Sequence, residues 1–182
     1  MDKTVVIYES KYGFTKQYAG WLSEALSCPI FERKDFAPQD FGQYDTVLYG
    51  GGLYAGGVSG IRLLTQNWKL LSEKNVILFT CGLADPGIPE NVSHIREALS
   101  KVLTEEMMNS IKLFHLRGGI SYARLGFVHK SMMAMLRRML LKKAPSELGC
   151  EDRLLLETFG TEIDFSDRAS IRPVVAYVET LQ

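Results

Sequence analysis

VVIYESKYGFTKQYAGWL, from Val5 to Leu22, decides the fold of this chain. Val5, Val6, Ile7 and Tyr8 are an apolar, largely β-branched run bounded by a polar turn, the pattern of a central parallel strand buried on both faces. Ser10, Lys11, Tyr12, Gly13, Phe14 and Thr15 make the turn, and Thr15 or a near neighbour is expected to cap the helix that follows. That helix should run from about Phe14 to Leu26, with Tyr18, Trp21, Leu22 and Ala25 recurring on its buried face. Ser10 and Thr15 bring hydroxyls, Gly13 permits close approach of backbone, and the helix start offers unsatisfied N–H groups. Together these suit a phosphate dianion. Lys11 and Lys16 either add charge to that site or are solvated surface lysines.

Beyond this unit, strands and helices alternate. Cys28 to Glu32 reads as a second strand, followed by turn residues Asp35, Pro38, Asp40 and Gly42. Tyr44 to Tyr49 reads as a third strand, opening into a glycine-rich loop, GGGLYAGGVSG, from Gly50. Ile61 to Leu71 has helical spacing, and Val76 to Thr80 is a buried fourth strand ending in the loop CGLADPGIPEN. Asn91 or Ser93 is expected to cap a helix that runs to about Val102. Ile111 to Leu116 is the fifth strand, closed by Gly118 and Gly119. Ala169 to Leu181 is a terminal helix with Pro173 in its first turn. Alternation of this kind predicts an α/β fold with a parallel sheet covered on both faces. Ligands of such sheets bind at the carboxyl ends of the strands, which here carry Ser10–Thr15, Gly50–Gly57, Thr80–Asp85 and Gly118–Arg124.

The composition sets bounds. A chain of 182 residues with 46% apolar content predicts one globular domain with a real core. Basic and acidic residues balance at 21 each, which argues against bulk nucleic-acid binding. Cys28, Cys81 and Cys150 are scattered and odd in number, so neither a disulfide framework nor a zinc site is expected. His94, His115 and His129 are dispersed, without metal-ligand spacing. A first strand so close to Met1 leaves no room for a signal peptide, and no apolar run is long enough to span a bilayer. A reducing cytoplasm is the expected location.

The opening stretch resembles the flavodoxin signature. The matching positions are Val6, Ile7, Tyr8, Ser10, Gly13, Thr15, Ala19 and Leu22. The rival nucleotide signatures, a loop ending in Gly-Lys-Ser/Thr and a Gly-x-Gly-x-x-Gly turn after strand one, are missing. The resemblance implies a flavodoxin-like three-layer sandwich with strand order 2-1-3-4-5, and non-covalently bound FMN as cofactor. Ser10, Lys11, Tyr12, Gly13, Phe14 and Thr15 would then hold the phosphate. Gly51, Gly52, Leu53, Tyr54, Ala55, Gly56 and Gly57 would lie against the flavin ring. Gly56 and Gly57 would permit a peptide rearrangement, and Tyr54 would stack on the ring or be an exposed tyrosine in a flexible turn. Thr80, Cys81, Gly82, Leu83, Ala84 and Asp85 would bind the pyrimidine end, with Cys81 more simply a half-buried strand-end residue than a redox thiol. A short hydroxyl-rich turn has donors for one terminal phosphate, which favours FMN over a dinucleotide. Electron-shuttling members of that family are strongly acidic, and this chain lacks that field.

After strand five the chain reads LRGGISYARLGFVHKSMMAMLRRMLLKKAPSE. This is similar to the long insertion of bacterial menaquinone-dependent protoporphyrinogen oxidases, which are flavodoxin-like enzymes. The likeness rests on the glycines, Tyr122, Arg124 and the basic amphipathic helix, with Ala123 where that pattern would have proline. It implies an insertion at about 120–160 and substrate-side roles for Tyr122 and Arg124, with Arg124 pairing a substrate carboxylate. It also implies a quinone acceptor. On a helical wheel Val128, Met132, Met135, Leu136 and Met139 share a face, with Lys130, Arg137, Arg138 and Lys142 largely opposite. That face packs on the domain, meets a protein partner or second copy, or lies on a membrane. Three functions are open at this point: a flavin electron-transfer protein with a protein redox partner, a flavin-dependent oxidoreductase acting on a small molecule and a quinone, and a binding module without flavin.

Overall fold

The computed structural model describes residues 3–54 and 57–181. In chain order the elements are β1 (Thr4–Glu9), α1 (Phe14–Leu26), β2 (Ile30–Glu32), β3 (Thr46–Tyr54), β4 (Gly57–Val58), α2 (Arg62–Gln66), α3 (Trp68–Leu71), β5 (Asn75–Gly82), α4 (Pro89–Ser100), α5 (Glu105–Ser110), β6 (Lys112–Arg117), β7 (Gly119–Ser121), α6 (Phe127–Leu140), α7 (Cys150–Glu157), β8 (Glu162–Asp164) and α8 (Arg172–Glu179). They form two compact units, residues 1–118 with 166–182, and residues 119–165.

In the first unit five parallel strands lie in the order β2-β1-β3-β5-β6, with β4 paired antiparallel to the end of β3. Setting the β4 ribbon aside, this is the order expected from the sequence. Successive strand residues face opposite sides, and each side has its own core. Val6, Leu48, Ile77 and Phe79 pack with Tyr18, Ala19 and Leu22 of α1 and Val174 and Val178 of α8. Val5, Ile7, Val47, Tyr49 and Leu78 pack with Leu63, Leu64, Leu71, Leu99 and Met107 on the other side. The central strands are therefore apolar at nearly every position, because both faces are covered.

Several boundaries differ from the sequence reading. The glycines after Tyr49 are strand, not loop: Gly50, Gly51 and Gly52 stay in register with Phe79, Thr80 and Cys81 of β5. Glycine is needed because the Phe79 ring fills the neighbouring space; a Cβ on Gly50 would lie 2.1 Å from its Cζ. The stretch from Ile61 to Leu71 is two helices, broken at Asn67, whose side-chain amide donates to the Leu63 carbonyl at 2.8 Å. Neither Asn91 nor Ser93 caps α4; it starts behind Ile88 with Pro89, whose missing N–H costs nothing there. The second strand is shorter, Ile30–Glu32. The terminal helix begins as a 3-10 turn over residues 168–171 and continues as α8 with Pro173 in its first turn.

The second unit holds a small antiparallel ribbon, β7 with β8, in which Ile120 opposes Ile163. Phe159 has Tyr122 on it at 4.9 Å between ring centroids and the Arg137 guanidinium at 4.9 Å. Lys143 is paired with Asp152 at 3.1 Å, and Arg153 donates to the Pro145 carbonyl at 3.1 Å.

Candidate functional site

At the carboxyl edge of the sheet, Glu9, Gly51 and Thr80 are register partners, so the segments following β1, β3 and β5 emerge side by side. The first is the turn into α1. Gly13 sits at the head of the helix with φ 102°, a left-handed conformation that favours glycine. Its N–H donates to Ser10 Oγ at 3.1 Å, which leaves the serine proton to point elsewhere. No side chain caps α1, and no acidic residue lies in its first turn. Of the expected candidates, Thr15 or a near neighbour, it is the neighbour Gly13 that holds the cap position, and Thr15 is buried within the first turn at 1% exposure. A helix start with uncapped N–H groups, a buried hydroxyl and no nearby carboxylate in its own turn is complementary to an anion. Glu9, just before the turn, is tied to Arg33 by an ion pair. Lys11 and Lys16 are exposed.

The second segment is the end of β3. Leu53 and Tyr54 pair with Val58 and Gly57 of β4. Tyr54 meets Tyr12 edge to face at 5.5 Å. Its ring lies back over Gly52, where a Cβ would come within 2.7 Å of the phenol oxygen. Burial pushes the Tyr54 hydroxyl up to about 12, against backbone hydrogen bonds from Lys11 and Tyr12. The turn Ser10–Thr15 and the end of β3 are thus joined through one phenol. Gly57 belongs to β4, and among the described residues positive φ at glycine occurs at Gly13, Gly60 and Gly160, not at Gly57. Ala55 and Gly56 lie outside the described residues.

In the third segment Thr80, Cys81 and Gly82 belong to β5, so only Leu83, Ala84 and Asp85 are loop. The Thr80 hydroxyl is bonded to His115 Nδ1 at 2.8 Å. Burial, with a smaller push from the Arg96 cation, lowers His115 to about 4, so its ring is neutral near pH 7. Cys81 is 5% exposed and part of the core. Arg117, at the end of β6, fastens the loop: its Nε donates to the Leu83 carbonyl at 3.2 Å, and its Nη1 lies 2.9 Å from Asp85 Oδ2. The Asp85 side chain also accepts from the Gly87 N–H at 2.8 Å. From the other side of β6, the Tyr18 hydroxyl donates to the Arg117 carbonyl at 2.6 Å.

Sequence reasoning missed Arg117 and the Thr80–His115 pair. The available signal was polarity at strand positions: His115 and Arg117 alternate with Phe114 and Leu116. Tyr122 and Arg124 belong to the second unit. There the Tyr122 ring meets Phe159 at a tilt of 57° and burial raises the pKa of its hydroxyl, while Arg124 is exposed.

A family model described as flavodoxin domain matches residues 5–147 of this chain. No curated protein sequence matches it. Similar solved structures include a flavodoxin from the domain Archaea, 14% identical over 62% of this chain and 84% of the other, with a TM-score of 0.41. Oxidised flavodoxin 1 from Bacillus cereus is 14% identical over 63% and 84%, with a TM-score of 0.40. A flavoprotein from Lactobacillus acidophilus, solved in complex with FMN, is 18% identical over 64% and 93%, with a TM-score of 0.39. These comparisons place the chain among the flavodoxin-domain proteins and do not extend to the narrower likeness to the menaquinone-dependent protoporphyrinogen oxidases.

Proposed function

The chain belongs to the flavodoxin-domain family, and from that premise we propose that it binds FMN at the carboxyl edge of its sheet and transfers electrons through it. The carrying observation is the uncapped head of α1, with Gly13 left-handed and Thr15 buried in the first turn. One terminal phosphate fits this short turn, and the residues on either side of it suit the rest of the molecule. Bound flavin would supply the electron chemistry, as cofactors do. The chain's own residues bind and orient. Ser10 and Thr15 donate hydroxyl bonds to the phosphate, and the turn amides add charge-oriented donors. Tyr12 and Tyr54 supply aromatic surface that keeps water from one side of the ring. Leu83, Ala84 and Asp85, held by Arg117, present backbone to its polar end.

The purified chain is expected to bind added FMN and quench its fluorescence. Thr15→Val keeps the shape of the buried side chain but loses one bond to a charged group, about 1.5–3 kcal/mol, so FMN affinity should fall roughly tenfold or more. An unchanged affinity removes Thr15 from the site; no FMN binding by the parent protein overturns the proposal.

A second reading, oxidation of an anionic organic molecule with a quinone as acceptor, is favoured by the exposed Arg124 in a stretch free of acidic residues from 107 to 146. Turnover of a protoporphyrinogen with a quinone, lost in Arg124→Ala while FMN stays bound, supports it. Reduction by a flavin reductase protein without such turnover supports the electron shuttle.

A further inference from the structure

The methionine face of α6 is exposed rather than packed within its own unit, residues 119–165. Val128, Met132, Met135, Leu136 and Met139 recur at helical spacing along one stripe, and all five are exposed, Val128 at 67% and Met135 at 62%. Phe127, 86% exposed, and Leu141 extend the apolar surface at the two ends. The buried side of the same helix is a different one: Leu140 is buried, and Met133, Ala134 and His129 are half-buried. The stripe therefore takes no part in the core of residues 119–165. Arg138 and Lys142 stand three residues after Met135 and Met139, so they border the stripe on one edge. Residues 119–146 carry six lysines and arginines and no acidic residue, while the chain as a whole is neutral. Arg137 is engaged within the unit on Phe159, and Lys143 on Asp152. Lys130, Arg138 and Lys142 are exposed.

We propose that α6 docks on an anionic lipid surface, lying in the plane of the interface with its methionine stripe among the upper acyl chains and Arg138 and Lys142 at the headgroups. The argument is charge complementarity joined to the apolar stripe. A second copy of this chain would bring two cationic edges together, with no carboxylate in 119–146 to meet them. Nucleic acid would satisfy the cations but leave the methionines in water. An anionic bilayer satisfies both. A helix of 14 residues is about 21 Å long, and no helix among the described residues is long and apolar enough to cross a membrane, so α6 lies on the bilayer rather than spanning it. Long cationic side chains at the stripe's edge can reach the headgroups while their stems cover apolar surface. The inference is independent of flavin binding.

Co-sedimentation of the full chain with vesicles tests it. Binding is expected to vesicles of phosphatidylcholine mixed with phosphatidylglycerol, and to weaken strongly on phosphatidylcholine alone or in high salt. Arg138→Gln with Lys142→Gln should lower the affinity by roughly tenfold or more. Met135→Glu with Met139→Glu should abolish binding. These side chains are exposed, so circular dichroism and the melting temperature should match those of the parent. No sedimentation of the parent with anionic vesicles at low salt overturns the proposal, as does binding indifferent to the methionine substitutions. Self-association removed by those substitutions, without vesicle binding, overturns it in favour of a second copy.

Discussion

Tyr54 stands edge to face on Tyr12 at 5.5 Å, and its phenol oxygen accepts backbone hydrogen bonds from Lys11 and Tyr12. The oxygen thus uses N–H groups of the turn that suits an anion. Phosphate is the stronger acceptor because it is charged, so anion binding and this phenol compete for the same donors. Tyr54→Phe keeps the ring and removes the competitor, and FMN affinity should rise by several-fold, about 1 kcal/mol for a neutral hydrogen bond. Fluorescence titration measures this; a weaker affinity in the variant would show that the hydroxyl serves the ligand instead.

Arg117 fixes the loop after β5 through Leu83 and Asp85. The pair is partly exposed, with side-chain exposures of 20% and 38%, so its global contribution is about 1 kcal/mol. Its local effect is larger because one guanidinium serves both a carbonyl and a carboxylate. Arg117→Met is expected to speed amide hydrogen exchange at residues 83–88 while leaving β1 and β3 protected. Unchanged exchange there would remove Arg117 from this role.

His115 titrates at about 4 in the folded protein, below its ordinary value near 6.5. As pH falls through 6.5 the unfolded chain takes up the proton first, so unfolding is increasingly favoured down to about pH 4. Stability from this group is complete above 6.5 and lost below. The loss is about 2 kcal/mol once partial exposure is allowed for. Urea midpoints at about pH 7 and about pH 4.5 should differ less in His115→Gln than in the parent, and an equal difference would count against the assignment.

Gly50 leaves room for the Phe79 ring. Both residues are in the central strands and Phe79 is fully buried, so a methyl has nowhere to go. Gly50→Ala should cost about 3 kcal/mol, the upper range for overpacking. Gly50→Ala combined with Phe79→Leu should recover part of it in thermal melts. A neutral Gly50→Ala would mean the strands separate more easily than their register implies.

Sequence alone determined the strand–turn–helix at Val5–Leu22, and the strand order followed from the resemblance it carries. The strand–turn–helix was legible because it depends on local signals: a β-branched run too apolar for anything but a doubly covered strand, glycine with hydroxyls at a turn, and helical spacing through Tyr18 and Leu22, although Ala25, expected on the same face, is exposed. The bounds of α1 agree residue for residue with that reading. What tertiary structure decided are features set by neighbours distant in sequence. Gly50 to Gly52 look like a loop by composition and become strand because β5 pairs with all three, and Phe79, Val58 and Tyr54 take the side-chain space of Gly50, Gly51 and Gly52 in turn. Arg117 holds the loop after β5 because parallel pairing brings β6 beside β5, 35 residues from Gly82 to Arg117 along the chain but adjacent in the sheet. The α6 stripe has the spacing of a core helix, and spacing reports only that one face is apolar. Whether that face meets protein or solvent depends on which side of the helix is covered, and here the covered side is the one bearing Leu140.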